Sequence, residues 1–209
     1  MNIIRIKRFV CCLAALAALA TAAIAAQPER ATEKEWAIEI ASGALFSNIR
    51  NSELDGYTLI PARFIAVLRL DDDSDDEGWW RGYTEFLFGA TGMWVADGPE
   101  SQILGANFGP RYTFVQPGWR VQPFIESTVG FGFADSRGKW HDGHDVGLGQ
   151  DFSFNFTVSG GLRIPVNDDW YVKIAAFYTH YSNAGLSEPQ HENRAIDAIG
   201  PELSVGWRF

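Results

Sequence analysis

Eight segments of roughly 10 to 15 residues, each alternating apolar and polar side chains and rich in aromatic and β-branched residues, fill the chain from Glu35 to Phe209. They fall at about 35–48, 57–70, 79–96, 102–115, 120–133, 151–164, 170–183 and 195–209. Turn chemistry such as Gln116-Pro117-Gly118 and Asn167-Asp168-Asp169 separates them. No segment of this region sustains a helical apolar period, so helix is a poor reading of it. Strands of this length exceed the five or six residues usual in soluble sheets, but suit a tilted strand crossing a bilayer, which needs about 9 to 11. An even number of them, joined in sequence, predicts an all-β fold: an eight-stranded antiparallel transmembrane β-barrel of the outer-membrane type.

The last two segments show which face meets lipid. Leu203, Val205, Trp207 and Phe209 share one parity, and Ser204, Gly206 and Arg208 the other. On the preceding segment Val172, Ile174, Ala176 and Tyr178 share a face while Lys173 points the opposite way. Apolar outward and polar or small inward is the membrane-barrel pattern, and an interior of eight strands is filled by side chains rather than open to transport. With the N-terminus in the periplasm, the connections 71–78, 116–119 and 165–169 lie on that side and 49–56, 97–101, 134–150 and 184–194 lie outside. A soluble lipocalin-like barrel would reverse the faces, but the aromatic end Trp207-Arg208-Phe209 favours the membrane form.

Met1 to Arg8 carries Arg5, Lys7 and Arg8, an apolar Ala-rich run follows to Ile24, and Ala23 to Ala26 offers small residues for cleavage. This predicts a secretory signal over 1–26 and a single barrel domain over 27–209. Cys11 and Cys12 both lie in the signal, so the mature chain is expected to hold no thiol or disulfide. Removing Arg5, Lys7 and Arg8 from the 17 basic residues leaves 14 against 26 acidic ones, a balance of about −12 that argues against nucleic acid as a partner.

His180 and Ser182 stand two apart near the end of the seventh segment, so a base and a nucleophile share one strand face. That face is the outward one, where an unpartnered polar group costs about 1 to 3 kcal/mol, so a neighbouring carboxylate is expected. Projecting the outward parity of the last segment back from Leu203 turns Asp197 outward and Glu202 inward. Asp197 is therefore the expected acid, with Glu202 the alternative if Pro201 marks a bulge, and His191 and Glu192 weaker candidates. In such a triad His180 takes the Ser182 proton, Asp197 orients the imidazole, and Asn183 and Gly185 are expected to supply oxyanion donors. From spacing alone, a structural histidine beside a surface serine outweighs a triad by about three to one.

Other motifs read more simply. The acidic run Asp71 to Glu77 lacks calcium-loop spacing and reads as a solvated turn. His141-Asp142-Gly143-His144-Asp145 lacks a third zinc partner, so neither a metal nor a cofactor is expected. Trp79, Trp80, Trp94, Trp119, Trp140 and Trp170 lie mostly near segment ends, where indole anchors to the headgroup layer.

The stretch His180-Tyr181-Ser182-Asn183-Ala184-Gly185-Leu186, followed by Pro189, Asn193 to Asp197 and Trp207-Arg208-Phe209, resembles the outer-membrane lipid A 3-O-deacylase family. Gly105 to Phe114 and Pro123 to Phe133 are similar to that family's middle strands. The resemblance implies an eight-stranded barrel in the Gram-negative outer membrane, a serine esterase that removes the ester-linked acyl chain at position 3 of lipid A. It implies lipopolysaccharide as the substrate and His180, Ser182 and an acid on the lipid-facing wall; a homodimer is compatible with the same wall. Two departures stand out: the family often has glutamate where Asp197 stands, and the stretch Pro189 to Asn193 is a few residues longer. The competing function is a non-enzymatic structural or adhesive barrel, which needs no triad.

Overall fold

The computed structural model describes residues 35–47, 56–71, 78–135, 148–191 and 195–209. The first strand, β1, runs over Trp36–Gly43 and, after Ala44, over Leu45–Phe46. The remaining strands are β2 (Thr58–Arg69), β3 (Gly82–Asp97), β4 (Gln102–Phe114), β5 (Gln122–Ala134), β6 (Phe152–Pro165), β7 (Trp170–Ser182) and β8 (Ile196–Arg208). Each pairs antiparallel with its sequence neighbour, and β1 pairs with both β2 and β8. The sheet therefore closes on itself and leaves no open edge, the arrangement a lipid environment demands of strands. The expected boundaries agree with these spans to within about three residues.

Two local features depart from uniform alternation. Ala44 interrupts β1, although the register continues across it, from Ser42 opposite Ala62 to Leu45 opposite Leu59. Opposite this break stands Gly200, where an added Cβ would meet the Ala44 carbonyl; the close approach accounts for glycine at that point. The second is a bulge in β3: Thr58 faces Asp97 while Leu59 faces Val95, leaving Ala96 over. Pro201, by contrast, leaves the parity of β8 unbroken, since Glu202 faces inward and Asp197 outward as its alternation requires.

The interior is a neutralised charge network between two apolar layers. Four carboxylates (Glu39, Glu85, Glu126, Glu202) meet four cations (Arg63, Arg111, Arg163, Lys173), and all are buried. Arg111 is central, reaching Glu39 Oε1 at 2.7 Å and Glu126 Oε2 at 2.8 Å, while Lys173 Nζ reaches Glu39 Oε2 at 2.8 Å and Arg163 reaches Glu85 at 2.9 Å. Arg63 closes the network on Glu202 at 2.9 Å. Charges this far from water persist because each is paired and hydrogen-bonded. Towards the end with the short turns lie Ala37, Ile65, Val67, Leu87 and Tyr171; towards the long connections lie Leu45, Leu59, Met93, Ile103, Phe177, Tyr181 and Ile196 among others. The barrel is filled along its axis, as expected for eight strands.

The outer wall is apolar. Ile40, Phe64, Phe88, Leu104, Phe108, Ile125, Phe131, Phe154, Ile174 and Ile199 are exposed on it, in agreement with the expected lipid-facing parity. Val172 shares that parity but is 6 % exposed, flanked across the sheet by Ile164 and Val205. Trp36, Trp79, Trp80, Trp119, Trp170 and Trp207 gather at the short-turn end, and Trp170, Trp207 and Phe209 form a row with ring centroids 6.2 and 5.1 Å apart. Such a girdle sets the height of a barrel in a bilayer. The expected signal over 1–26 with its cysteines, most of the acidic run 71–77, the loop carrying His141 to Asp145, Trp140 and Glu192 all lie outside the described residues.

Candidate active site on the outer wall

The alternation of β7 brings Tyr178, His180 and Ser182 to one outward face at the long-connection end of the barrel. Across the sheet, His180 stands opposite Phe156 of β6 on one side and Asp197 of β8 on the other, while Ser182 stands opposite Phe154. His180 Nδ1 and Asp197 Oδ1 lie 2.8 Å apart, with side chains 35 % and 36 % exposed. The pair is thus a rim feature: half-buried against an apolar wall, and within reach of anything lying on that wall. The same Asp197 oxygen accepts a second hydrogen bond, from Tyr178 Oη at 2.5 Å.

Ser182 ends the strand and begins a tight turn. Ala184 takes a left-handed backbone conformation (φ 55°), uncommon for a residue with a Cβ, and Gly185 follows in the same region (φ 78°). The Ala184 N–H donates to Ser182 Oγ at 3.2 Å, so the first backbone donor of the turn already addresses the hydroxyl. Leu186 N–H returns to the Asn183 carbonyl at 3.1 Å.

Asn183 points the other way, fully buried at the barrel mouth. Its amide donates to the Leu148 carbonyl at 2.5 Å and to Ser187 Oγ at 2.8 Å, and its Oδ1 accepts the Gly185 N–H at 2.9 Å. Both groups expected to serve as oxyanion donors are therefore engaged within the turn, because a fully buried amide must satisfy its hydrogen bonds locally. Leu148 in turn donates its N–H to Glu100 Oε1 at 3.3 Å, and Tyr57 Oη donates to Glu100 Oε2 at 2.7 Å. Burial and the adjoining Glu100 carboxylate push the Tyr57 phenol well up, which keeps it a donor. The mouth thus straps the Ser182 turn from within the barrel.

The other acid candidate is placed elsewhere. Glu202 points into the barrel, is 2 % exposed and is held by both carboxylate oxygens on Arg63, so the wall separates it from His180. His191 is exposed in the turn, its N–H on the Ser187 carbonyl at 2.9 Å. Two features escaped the sequence reading. Tyr178 is the outward residue before His180, which parity shows, but alternation alone does not show that its hydroxyl reaches Asp197. The strap through Leu148 and Glu100 left no sequence signal, since its members come from three separate connections.

A closed antiparallel barrel with an apolar outer wall defines an outer-membrane-type barrel, here with a serine, a histidine and an aspartate together on the outer face at its rim. The chain belongs to the PagL, lipid A 3-O-deacylase, family, whose model matches residues 62–207. Among solved structures it is similar to the outer membrane enzyme PagL, with 22 % identity and a TM-score of 0.51 over 81 % of this chain and 97 % of that one, a likeness of fold. Neisserial surface protein A is matched at 18 % identity and a TM-score of 0.49, over 86 % of this chain and 98 % of that one. No curated protein matches the chain.

Proposed function

We propose that the protein is a serine esterase of the Gram-negative outer membrane that removes the acyl chain ester-linked at position 3 of lipid A. The observation that carries this reading is the in-register pair His180 and Asp197, 2.8 Å apart and facing outward two residues from Ser182, in a chain of the PagL family. A hydrogen-bonded polar pair on an apolar outer wall has no packing role there that an apolar pair would not fill better, so it calls for a chemical one. In the same reading residues 1–26 are a cleaved signal, 27–209 form one domain, and the strands cross the membrane eight times.

The proposed chemistry uses the groups gathered at the rim. With the Nδ1–H of His180 donated to Asp197, its Nε2 holds the lone pair that takes the Ser182 proton. Ser182 Oγ then attacks the ester carbonyl, and the tetrahedral intermediate places a negative oxygen beside the turn. The Ala184 N–H, which addresses Ser182 Oγ at rest, is the proposed backbone donor to that charge, while Asn183 and Gly185 hold the turn in the conformation that presents it. Collapse of the intermediate breaks the bond to the position-3 oxygen, which leaves as the alcohol with the proton from His180. Water, deprotonated by His180, releases the acid from Ser182 and restores the enzyme.

The exposed phenylalanines of β5 and β6 fit an acyl substrate. Phe131, Phe133, Phe154 and Phe156 line the outer wall beside Ser182, with Phe133 linked to Phe154 through Phe152 at ring separations of 5.5 and 5.1 Å. A substrate lying in the outer leaflet keeps its chains against that wall while its ester stands at rim height. Purified protein in detergent is expected to release the position-3 acid from lipopolysaccharide, quantified by gas chromatography. Ser182→Ala and His180→Ala should each abolish release; release unchanged in Ser182→Ala overturns the reading.

A further inference from the structure

We propose that Tyr178 is a positioning residue of this site: its phenol hydroxyl holds the Asp197 carboxylate in the orientation from which it aligns His180. The proposal rests on the catalytic reading of His180, Ser182 and Asp197 given above. Tyr178 Oη donates to Asp197 Oδ1 at 2.5 Å, and that same oxygen faces His180 Nδ1 at 2.8 Å. One carboxylate oxygen is thus fixed from two directions by two side chains of a single strand face.

The register explains how the contact forms. Tyr178 stands opposite Ile199 and His180 opposite Asp197, so the phenol reaches diagonally one pair up the sheet, a span suited to a long aromatic side chain. Its direct cross-strand neighbours, Val158 and Ile199, are apolar. On a lipid-facing wall a phenylalanine would pack as well, and a hydroxyl there is favourable only when it finds an acceptor. The acceptor it finds is the proposed triad acid.

The arrangement also answers the short reach of aspartate. A carboxylate one methylene from the backbone, 36 % exposed at the rim, can turn towards headgroup water unless something opposes it. A histidine bond alone leaves rotation about the Cβ–Cγ bond soft, because terminal carboxylate torsions are broad. The second donor on Oδ1 removes that freedom and keeps the negative charge against the imidazole as it takes up the serine proton.

The test uses the full-length barrel in detergent and two readouts. The first is the rate of acyl release from lipopolysaccharide. The second is the rate at which an alkyl fluorophosphonate labels Ser182, read on the compact, heat-modifiable band so that only folded barrel is counted. Tyr178→Phe is expected to lower kcat and the labelling rate about tenfold with KM changed less than about twofold. Asp197→Asn is expected to lower kcat by about 10³ to 10⁴. In the Asp197→Asn background, Tyr178→Phe should change the rate by less than about twofold, because its partner is gone. Wild-type labelling and turnover in Tyr178→Phe, or losses that multiply in the double variant, overturn the positioning role. A wild-type protein that neither labels at Ser182 nor releases acid overturns the catalytic reading itself.

Discussion

Asp197 and Glu202 differ by five positions and by a complete change of environment. One lies on the outer face with His180 and Tyr178 as partners; the other lies inside, with Arg63. Because side chains alternate across a strand, an odd separation puts them on opposite faces, and no local adjustment lets both serve the same histidine. This gives a separable prediction. Glu202→Gln should leave acyl release within about twofold of wild type, while costing about 3 kcal/mol of stability because Arg63 loses a buried charge partner. Kinetics and urea unfolding in detergent check both halves; loss of activity in folded Glu202→Gln would place the acid inside the barrel. The parity that separates the two acids could be read directly from Leu203, Val205, Trp207 and Phe209, whereas the Tyr178 bond could not. Alternation says which face a tyrosine occupies, and only the packed sheet says what its hydroxyl reaches.

The strands were legible because their alternation is long and their turns carry glycine, proline, asparagine and aspartate. What the pattern did not show were points where two backbones crowd. The interruption of β1 at Ala44 lies against Gly200 on β8, a residue more than 150 positions away, and nothing near Ala44 in the chain marks it. The turn after Ser182 shows the same limit. Asn183 directly follows Ser182 in the chain, but its amide partner Leu148 comes from a connection 35 residues earlier, and that contact turns the amide inward. Gly200→Val tests the coupling between these elements. An added side chain at the Ala44 carbonyl forces β8 away from β1, at a cost of about 1 to 3 kcal/mol, and shifts Asp197, three residues along the strand. A lowered unfolding midpoint together with slower acyl release is expected; unchanged values in both would show that the close approach is relaxed in solution.

At the scale of the whole molecule, the barrel is organised so that its polar chemistry falls into two separate places. Inside, a network of four carboxylates and four cations lies along the lumen between two apolar layers, with Glu100 and Arg208 also buried. Outside, the described wall is largely apolar, and at its rim His180, Ser182, Asp197 and Tyr178 gather on the β7 and β8 faces. A membrane barrel that served only to fill or anchor would need the first of these and not the second. In the proposed function, the phenylalanines beside the cluster and the tryptophan girdle at the far end set where a leaflet lipid lies relative to Ser182. The function proposed for this rim cluster is deacylation of lipid A through Ser182. Mass spectrometry of lipid A from Gram-negative cells expressing the wild-type chain or Ser182→Ala tests it most directly. The wild-type cells should show loss of the acyl chain ester-linked at position 3 and the Ser182→Ala cells, with equal barrel in the outer membrane, should retain it; identical lipid A from both would contradict the account.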